Sequence, residues 1–133
     1  MPNINYIFNV SVEGGPSDTF SNKLITEAYD KISVTIPKAI PGTSQTKAVK
    51  LQPTDSEKVK FLCIKADKHH EDKDTKHLTY KADGEGKDVN LELDQVMIGS
   101  SLIKLLGDVK GLTFKSTFDT EVNIDILVGR ETT

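Results

Sequence analysis

Asn3-Ile4-Asn5-Tyr6-Ile7-Phe8-Asn9-Val10-Ser11-Val12-Glu13 is the stretch that decides the fold class of this chain. Successive side chains of an extended backbone point to opposite faces, so Ile4, Tyr6, Phe8, Val10 and Val12 share one face. Asn3, Asn5, Asn9, Ser11 and Glu13 share the other. The alternation returns at Ile32-Val34-Ile36, at Val89-Leu91-Leu93 and at Val122-Ile124-Ile126-Val128. Strands with a single apolar face need another apolar face to cover them. The pattern therefore predicts an all-β protein, a two-sheet β-sandwich of jelly-roll or Greek-key type.

The remaining segments fit that plan. Glu13-Gly14-Gly15-Pro16-Ser17 is a turn cluster, and Pro41-Gly42-Thr43-Ser44 another. Phe20 to Tyr29 is mixed: Leu24, Ile25 and Ala28 suit one face of a short helix or an extended segment equally. Lys31 to Lys38 and Lys47 to Leu51 read as strands that stop at Pro37 and before Pro53. Val59 to Ala66 is apolar on both faces at its centre, as in a covered central strand, with Val59, Phe61 and Cys63 on one side. Leu78 to Lys81 and Val89 to Leu93 flank Asp83-Gly84-Glu85-Gly86 as the two arms of a hairpin. Gln95 to Ile98 is extended, and Gly99-Ser100-Ser101 opens a helical turn or a loop holding Leu102, Leu105 and Leu106. Leu112 to Ser116 and Val122 to Val128 complete the set, and Glu131-Thr132-Thr133 reads as a frayed tail. Eight or nine short strands at spacings of roughly 8 to 15 residues suit a sandwich. The alternating first and last strands are each long enough to pair with central neighbours, and an isolated edge strand at either end would invite pairing with another subunit.

Residues 1–133 are expected to form one domain, since a chain of that length buries roughly two-thirds of its unfolded surface in a single core. With five Phe, three Tyr and no Trp, that core must be aliphatic. The 17 basic and 20 acidic residues are spread along the chain, so no basic stripe offers the phosphate neutralisation that nucleic acid requires. No apolar run approaches the roughly 20 residues of a membrane-spanning helix, and MPNINYIFNV lacks the basic and long apolar segments of a signal peptide. These features point to a cytoplasmic protein with neither nucleic acid nor membrane as partner. Cys63 is the single cysteine, so no intramolecular disulfide forms. Its strand setting predicts a buried thiol with a raised pKa, a packing residue rather than a nucleophile.

The one grouping suited to a divalent metal is His69, His70 and His77 with Asp67, Glu71, Asp72 and Asp74. Adjacent histidines tend to point apart, and Lys68, Lys73 and Lys76 interrupt the set, so Asp67 to Lys76 is expected to be an exposed, solvated loop. Asp83 to Asp88 has a calcium-loop composition, but the twelfth position is Asp94 rather than Glu, and a turn accounts for it. No Ser-His-Asp pattern, nucleotide fingerprint or phosphate-cradling glycine loop is present. The sequence thus predicts no catalytic residue, no cofactor-binding residue, no metal site and no enzymatic activity. A glycan remains a candidate ligand, with Phe20, Tyr29, Tyr80 and Phe118 as the possible exposed platforms; Tyr6, Phe8, Phe61 and Phe114 are assigned to the interior.

Leu105-Leu106-Gly107-Asp108-Val109-Lys110-Gly111-Leu112-Thr113-Phe114, continuing through Glu121-Val122-Asn123-Ile124-Asp125-Ile126-Leu127-Val128-Gly129-Arg130, resembles the closing hairpin of small β-sandwich proteins that decorate or cement bacteriophage heads. The resemblance implies a structural, oligomeric virion component, assembled in the host cytoplasm, whose partners are the major capsid protein or other particle subunits. It fits a tail, baseplate or contractile-injection component equally. A carbohydrate-binding module is the competing use of such a sandwich. The loop from Asp67 to Lys76 is the candidate outward contact. Arg130 is expected to form a surface ion pair with a neighbouring carboxylate.

Overall fold

A computed structural model describes residues 3–26, 28–51, 58–72, 76–83 and 86–131. Their strands are β1 (Asn3–Ser11), β2 (Ser17–Ile25), β3 (Ala28–Ile36), β4 (Gln45–Lys50), β5 (Val59–Ala66), β6 (Leu78–Asp83), β7 (Val89–Asn90), β8 (Gln95–Ile98), β9 (Asp108–Ser116) and β10 (Val122–Arg130). A helical turn, α1 (Ser100–Ile103), runs into a 3-10 turn at Lys104–Leu106.

β3 pairs antiparallel with β10, β4 with β9, β5 with β8 and β6 with β7. The chain from 28 onward is thus one long antiparallel ribbon, doubled back at β6–β7. Rolling that ribbon up brings β10 beside β5 and β9 beside β6. Two four-stranded sheets result, ordered β3-β10-β5-β8 and β4-β9-β6-β7. This is a jelly roll, so the expected sandwich is formed and its type is resolved. The described residues form ten strands rather than eight or nine. The added one is β2, in the segment whose weak alternation left helix and strand open.

β10 holds the sheets together. Val122, Ile124, Ile126 and Val128 all point inward and are buried, meeting Ile36, Leu62, Ile64, Leu78 and Phe114. The intervening residues face out and are tied across the ladder: Thr35 Oγ1 donates to Asn123 Oδ1 at 2.8 Å and Ser33 Oγ to Asp125 Oδ1 at 2.6 Å. Arg130 closes the strand with Nε 2.7 Å from Asp30 Oδ2, an ion pair inside its own sheet. The last strand therefore pairs with a central neighbour, β5, as its length allows. The first does not: among the described residues β1 pairs only with β2, in a separate two-stranded sheet.

Three other expectations change. In β5 the register shifts opposite Gly129 and Arg130, leaving Lys60 as an extra residue. Val59 consequently joins Leu62 and Ile64 in the core, while Phe61 and Cys63 turn to the outer face, where Phe61 is nonetheless buried. Cys63 is half-buried there, not enclosed; desolvation pushes its thiol up, Asp94 adds to this and Lys65 opposes it. Second, β9 and β10 are not a hairpin. They lie in opposite sheets, and residues 117–121 cross between them. Third, the Gly99 turn buries Ile103, and Leu102 and Leu105 face solvent, because two short turns cannot present a continuous helical face to the sandwich. The hairpin around Asp83 forms as β6–β7, but its second arm stops at Asn90 instead of Leu93, which is exposed; Gly84 and Glu85, like Pro53, Thr132 and Thr133, lie outside the described residues.

Two measurements probe the core. Phe114→Ala deletes a fully buried ring and is expected to lower the unfolding free energy by about 3–5 kcal/mol, whereas Leu105→Ala, at an exposed turn, should change it by less than about 0.5 kcal/mol; urea denaturation reads both. Tyr80 is buried, donates its hydroxyl to Gln95 Oε1, and is pushed up to about 12 by desolvation. The folded chain keeps that proton where the unfolded chain loses it. Stability should therefore be intact below the ordinary tyrosine value of about 10 and fall as pH rises toward 12. Tyr80→Phe should flatten this decline in midpoints measured across that range.

Candidate functional site

The β1–β2 arm leaves the sandwich as a nine-pair antiparallel ribbon, from Asn3↔Ile25 to Ser11↔Ser17. Gly14, with φ of 73°, makes the tip possible by taking the left-handed conformation. Directly opposed residues lie on the same side, so one face carries Ile4, Tyr6, Phe8 and Val10 with Leu24 and Phe20. The other carries Asn5, Asn9, Thr19, Ser21 and Lys23 around Ile7. Tyr6 and Phe8 lean together at a centroid distance of 5.6 Å. They are half-buried within the arm and do not enter the sandwich core to which the sequence assigned them.

The arm meets the sandwich at its root. Gly129 is buried because Ile4, Thr26 and the cross-strand Phe61 converge on the space a Cβ would fill. Beyond this joint the arm's apolar face is bare: Val10 is 53% and Phe20 55% exposed, and Ile7 on the other face is 68% exposed. Burying such side chains stabilises by about 1.5–3 kcal/mol each. A two-stranded hairpin on its own is marginal in water, so the arm has much to gain from a covering partner.

The described part of the histidine corner, between β5 and β6, is held by more hydrogen bonds than a solvated loop requires. His70 sits in a closed ring of hydrogen bonds: its N–H donates to the Leu91 carbonyl, Leu91 N–H to the Leu78 carbonyl, and Leu78 N–H to His70 Nδ1 at 3.0 Å. Nδ1 is therefore the unprotonated ring nitrogen. The ring stacks on His77 at 5.0 Å, and Nε2 lies 3.5 Å from Asp72. His69 instead points to Asp94, Nε2 to Oδ1 2.9 Å. The His69 hydrogen bond is the main reason the Asp94 carboxyl is held below its usual range, helped by the Ala66 N–H. Desolvation raises Asp67, but the backbone and side-chain N–H groups of Asn123 outweigh it and hold Asp67 low as well.

The corner thus binds itself. The adjacent histidines do point apart, and Asp67 is taken up by β10; Asp74 lies outside the described residues. Among the described residues, no three His, Cys, Asp or Glu side chains converge as a metal would need. An open depression of about 680 Å³ beside the corner is lined by Lys68, Glu71, Glu92, Leu93 and Asp119 among others, without an enclosed polar pocket. Of the four aromatic platforms, Phe20 and Tyr29 are exposed while Tyr80 and Phe118 are buried in the core. They drop out because Tyr80 alternates inward with Leu78 and Ala82 on β6, and Phe118 folds under the crossover, its N–H held by Ser116 Oγ. Sequence reading missed the arm as a unit. The signal was the glycine turn Gly14-Gly15, which joins two adjacent segments as a local hairpin.

Comparison of the chain with protein-family models, with curated proteins and with solved structures gives no match. The class is defined by its architecture alone: a jelly-roll sandwich carrying an N-terminal β-arm.

The two depressed carboxylates set the acid response. Folded Asp67 and Asp94 stay ionised at pH values where the unfolded chain already takes up protons, so their contribution is complete above the ordinary carboxylate range and is lost as pH falls through it. Urea midpoints should decline between about pH 5 and pH 3, and the decline should be shallower in Asp67→Asn/Asp94→Asn.

Proposed function

We propose that this chain is a non-enzymatic structural component of a phage-like particle, a capsid-decoration protein that binds the shell through protein–protein contacts. The observation that carries the reading is the arm: a nine-pair ribbon outside both sheets, with an apolar face that its own sandwich leaves bare beyond the root. A surface of that kind works by being covered. The sandwich contributes rigidity, and its polar corner spends its histidines and carboxylates on internal hydrogen bonds. The resemblance of Leu105 to Arg130 to a closing hairpin adds no support, since that stretch supplies inner strands of two sheets. The major capsid protein is the partner this reading requires, and the virion its location.

The exposed rings of Phe20 and Tyr29 are the one observation favouring a carbohydrate-binding module. Gradient sedimentation separates the two. Shells of a phage-like particle lacking the chain should carry it with them when it is added back, and should resist heat better. The double variant Val10→Lys/Phe20→Lys, altered only at exposed arm positions, should stay at the top of the gradient. A chain that never migrates with shells but binds a glycan array, and loses that binding in Phe20→Ala or Tyr29→Ala, would replace the proposal with its competitor.

A further inference from the structure

β1 has a property that neither the sandwich nor the particle reading uses: its sequence is chemically palindromic about Ile7. Asn3-Ile4-Asn5-Tyr6 and Phe8-Asn9-Val10-Ser11 mirror each other as polar, aliphatic, polar, aromatic outward to inward, in reverse order around the centre. The strand carries no charge and no proline, and its nine residues pair with β2 without a register shift. Among the described residues β2 is its one ladder neighbour, so within them the other edge of β1 presents unpaired backbone donors and acceptors. Edges are ordinarily protected by lysine, proline, a bulge or shortness. This one has none of those, whereas β2 carries Asp18 and Lys23.

We infer that β1 pairs antiparallel with β1 of a second copy about a two-fold axis through Ile7, joining two arms into a four-stranded β2-β1-β1-β2 sheet. The register follows from the faces. Directly opposed residues lie on the same side of a sheet, so only pairings that set Tyr6 against an even-numbered residue keep apolar with apolar. Among these, the one centred on Ile7 alone overlaps all nine residues. It places Tyr6 against Phe8 and Ile4 against Val10 of the second copy, each twice. Asn5 meets Asn9, Asn3 meets Ser11, and Ile7 meets Ile7. A shift by two residues would shorten the ladder and set Asn5 against Ile7. An isologous contact of this kind closes at two subunits, which fits a self-complementary patch. It also gives each arm the third and fourth strands that a lone hairpin lacks. The inference stands whether or not the protein binds a shell.

The test uses the full chain. Light scattering behind size exclusion should give a dimer at tens of micromolar, by order of magnitude the range of a modest interface. Ile7→Lys sets two like charges opposite each other at the axis and should raise the dissociation constant by about tenfold or more. Ser21→Lys puts the same charge on the same face of the arm, one strand from the axis, and should leave the dimer intact. Far-UV circular dichroism should be unchanged in both, since positions 7 and 21 are exposed. The register is read in a Cys63→Ser background: opposed Cα atoms lie about 4.5–5.5 Å apart, within disulfide range, so Ile7→Cys should oxidise to a covalent dimer. Asn3→Cys, with its two copies about 27 Å apart at 3.4 Å per residue, should not. A monomeric wild type, or a dimer indifferent to Ile7→Lys, would overturn the pairing; a dimer that cross-links at position 3 and not at 7 would overturn its register.

Discussion

The inward stripe of β10 is the constraint on which the rest of this structure depends. Val122, Ile124, Ile126 and Val128 are buried only if β3 flanks the strand on one side, β5 on the other, and the second sheet lies across them. Side chains alternate with a period of two, so a slip of one residue would bring Asn123 and Asp125 into the core and expose the whole stripe. The outer face enforces the same register. Thr35 with Asn123, Ser33 with Asp125, and Asp30 with Arg130 are cross-strand pairs that hold only in the observed alignment. Asp67 then anchors the chain leaving β5 to the start of β10 through both the backbone and the side chain of Asn123.

Two kinds of topology coexist in the chain. The jelly roll is held by partners far apart in sequence, Ile36 opposite Val122 being one, so forming it requires closing long loops before the contacts are made. The arm is local, with a tight glycine turn and nearest-neighbour strands. It is joined to the sandwich at Gly129, where the absence of a side chain lets Ile4 and Thr26 seat beside Phe61. Rigidity and recognition are thereby separated: the aliphatic core fixes a platform, and the surface with unsatisfied hydrophobic and ladder-forming capacity stands outside it.

Much of the sandwich was legible in the sequence because alternation reports a two-faced strand directly. β3, β5, β9 and β10 follow from Ile32-Val34-Ile36, from the apolar centre of Val59 to Ala66, from Leu112 to Ser116, and from Val122 to Val128. Alternation does not say which sheet will cover a face, so β1, the clearest pattern in the chain, was assigned to the sandwich it does not join. β2 was ambiguous because Asp18 and Asn22 interrupt its apolar side. The bulge at Lys60 reversed the faces of Phe61 and Cys63, a two-against-one pairing with no single-residue signature. His70 read as a solvated charge-loop residue. Its ring nitrogen is in fact the acceptor for Leu78 N–H, a contact between segments brought together only by the fold. The helical turn misled for a simpler reason: Leu102 and Leu105 have apolar spacing, but a turn this short has no second layer to meet them.

Native-state hydrogen exchange measures the division between platform and arm most directly. Amides of Val122 to Val128 and of Phe61 to Ile64 should exchange only through global unfolding, with protection equal to the full stability of the chain. Those of Asn5 to Ser11 and Ser17 to Lys23, followed in dilute solution, should exchange through a smaller opening that leaves the sandwich intact. Arm amides that open only with the whole molecule while those of β10 open before it would contradict the account.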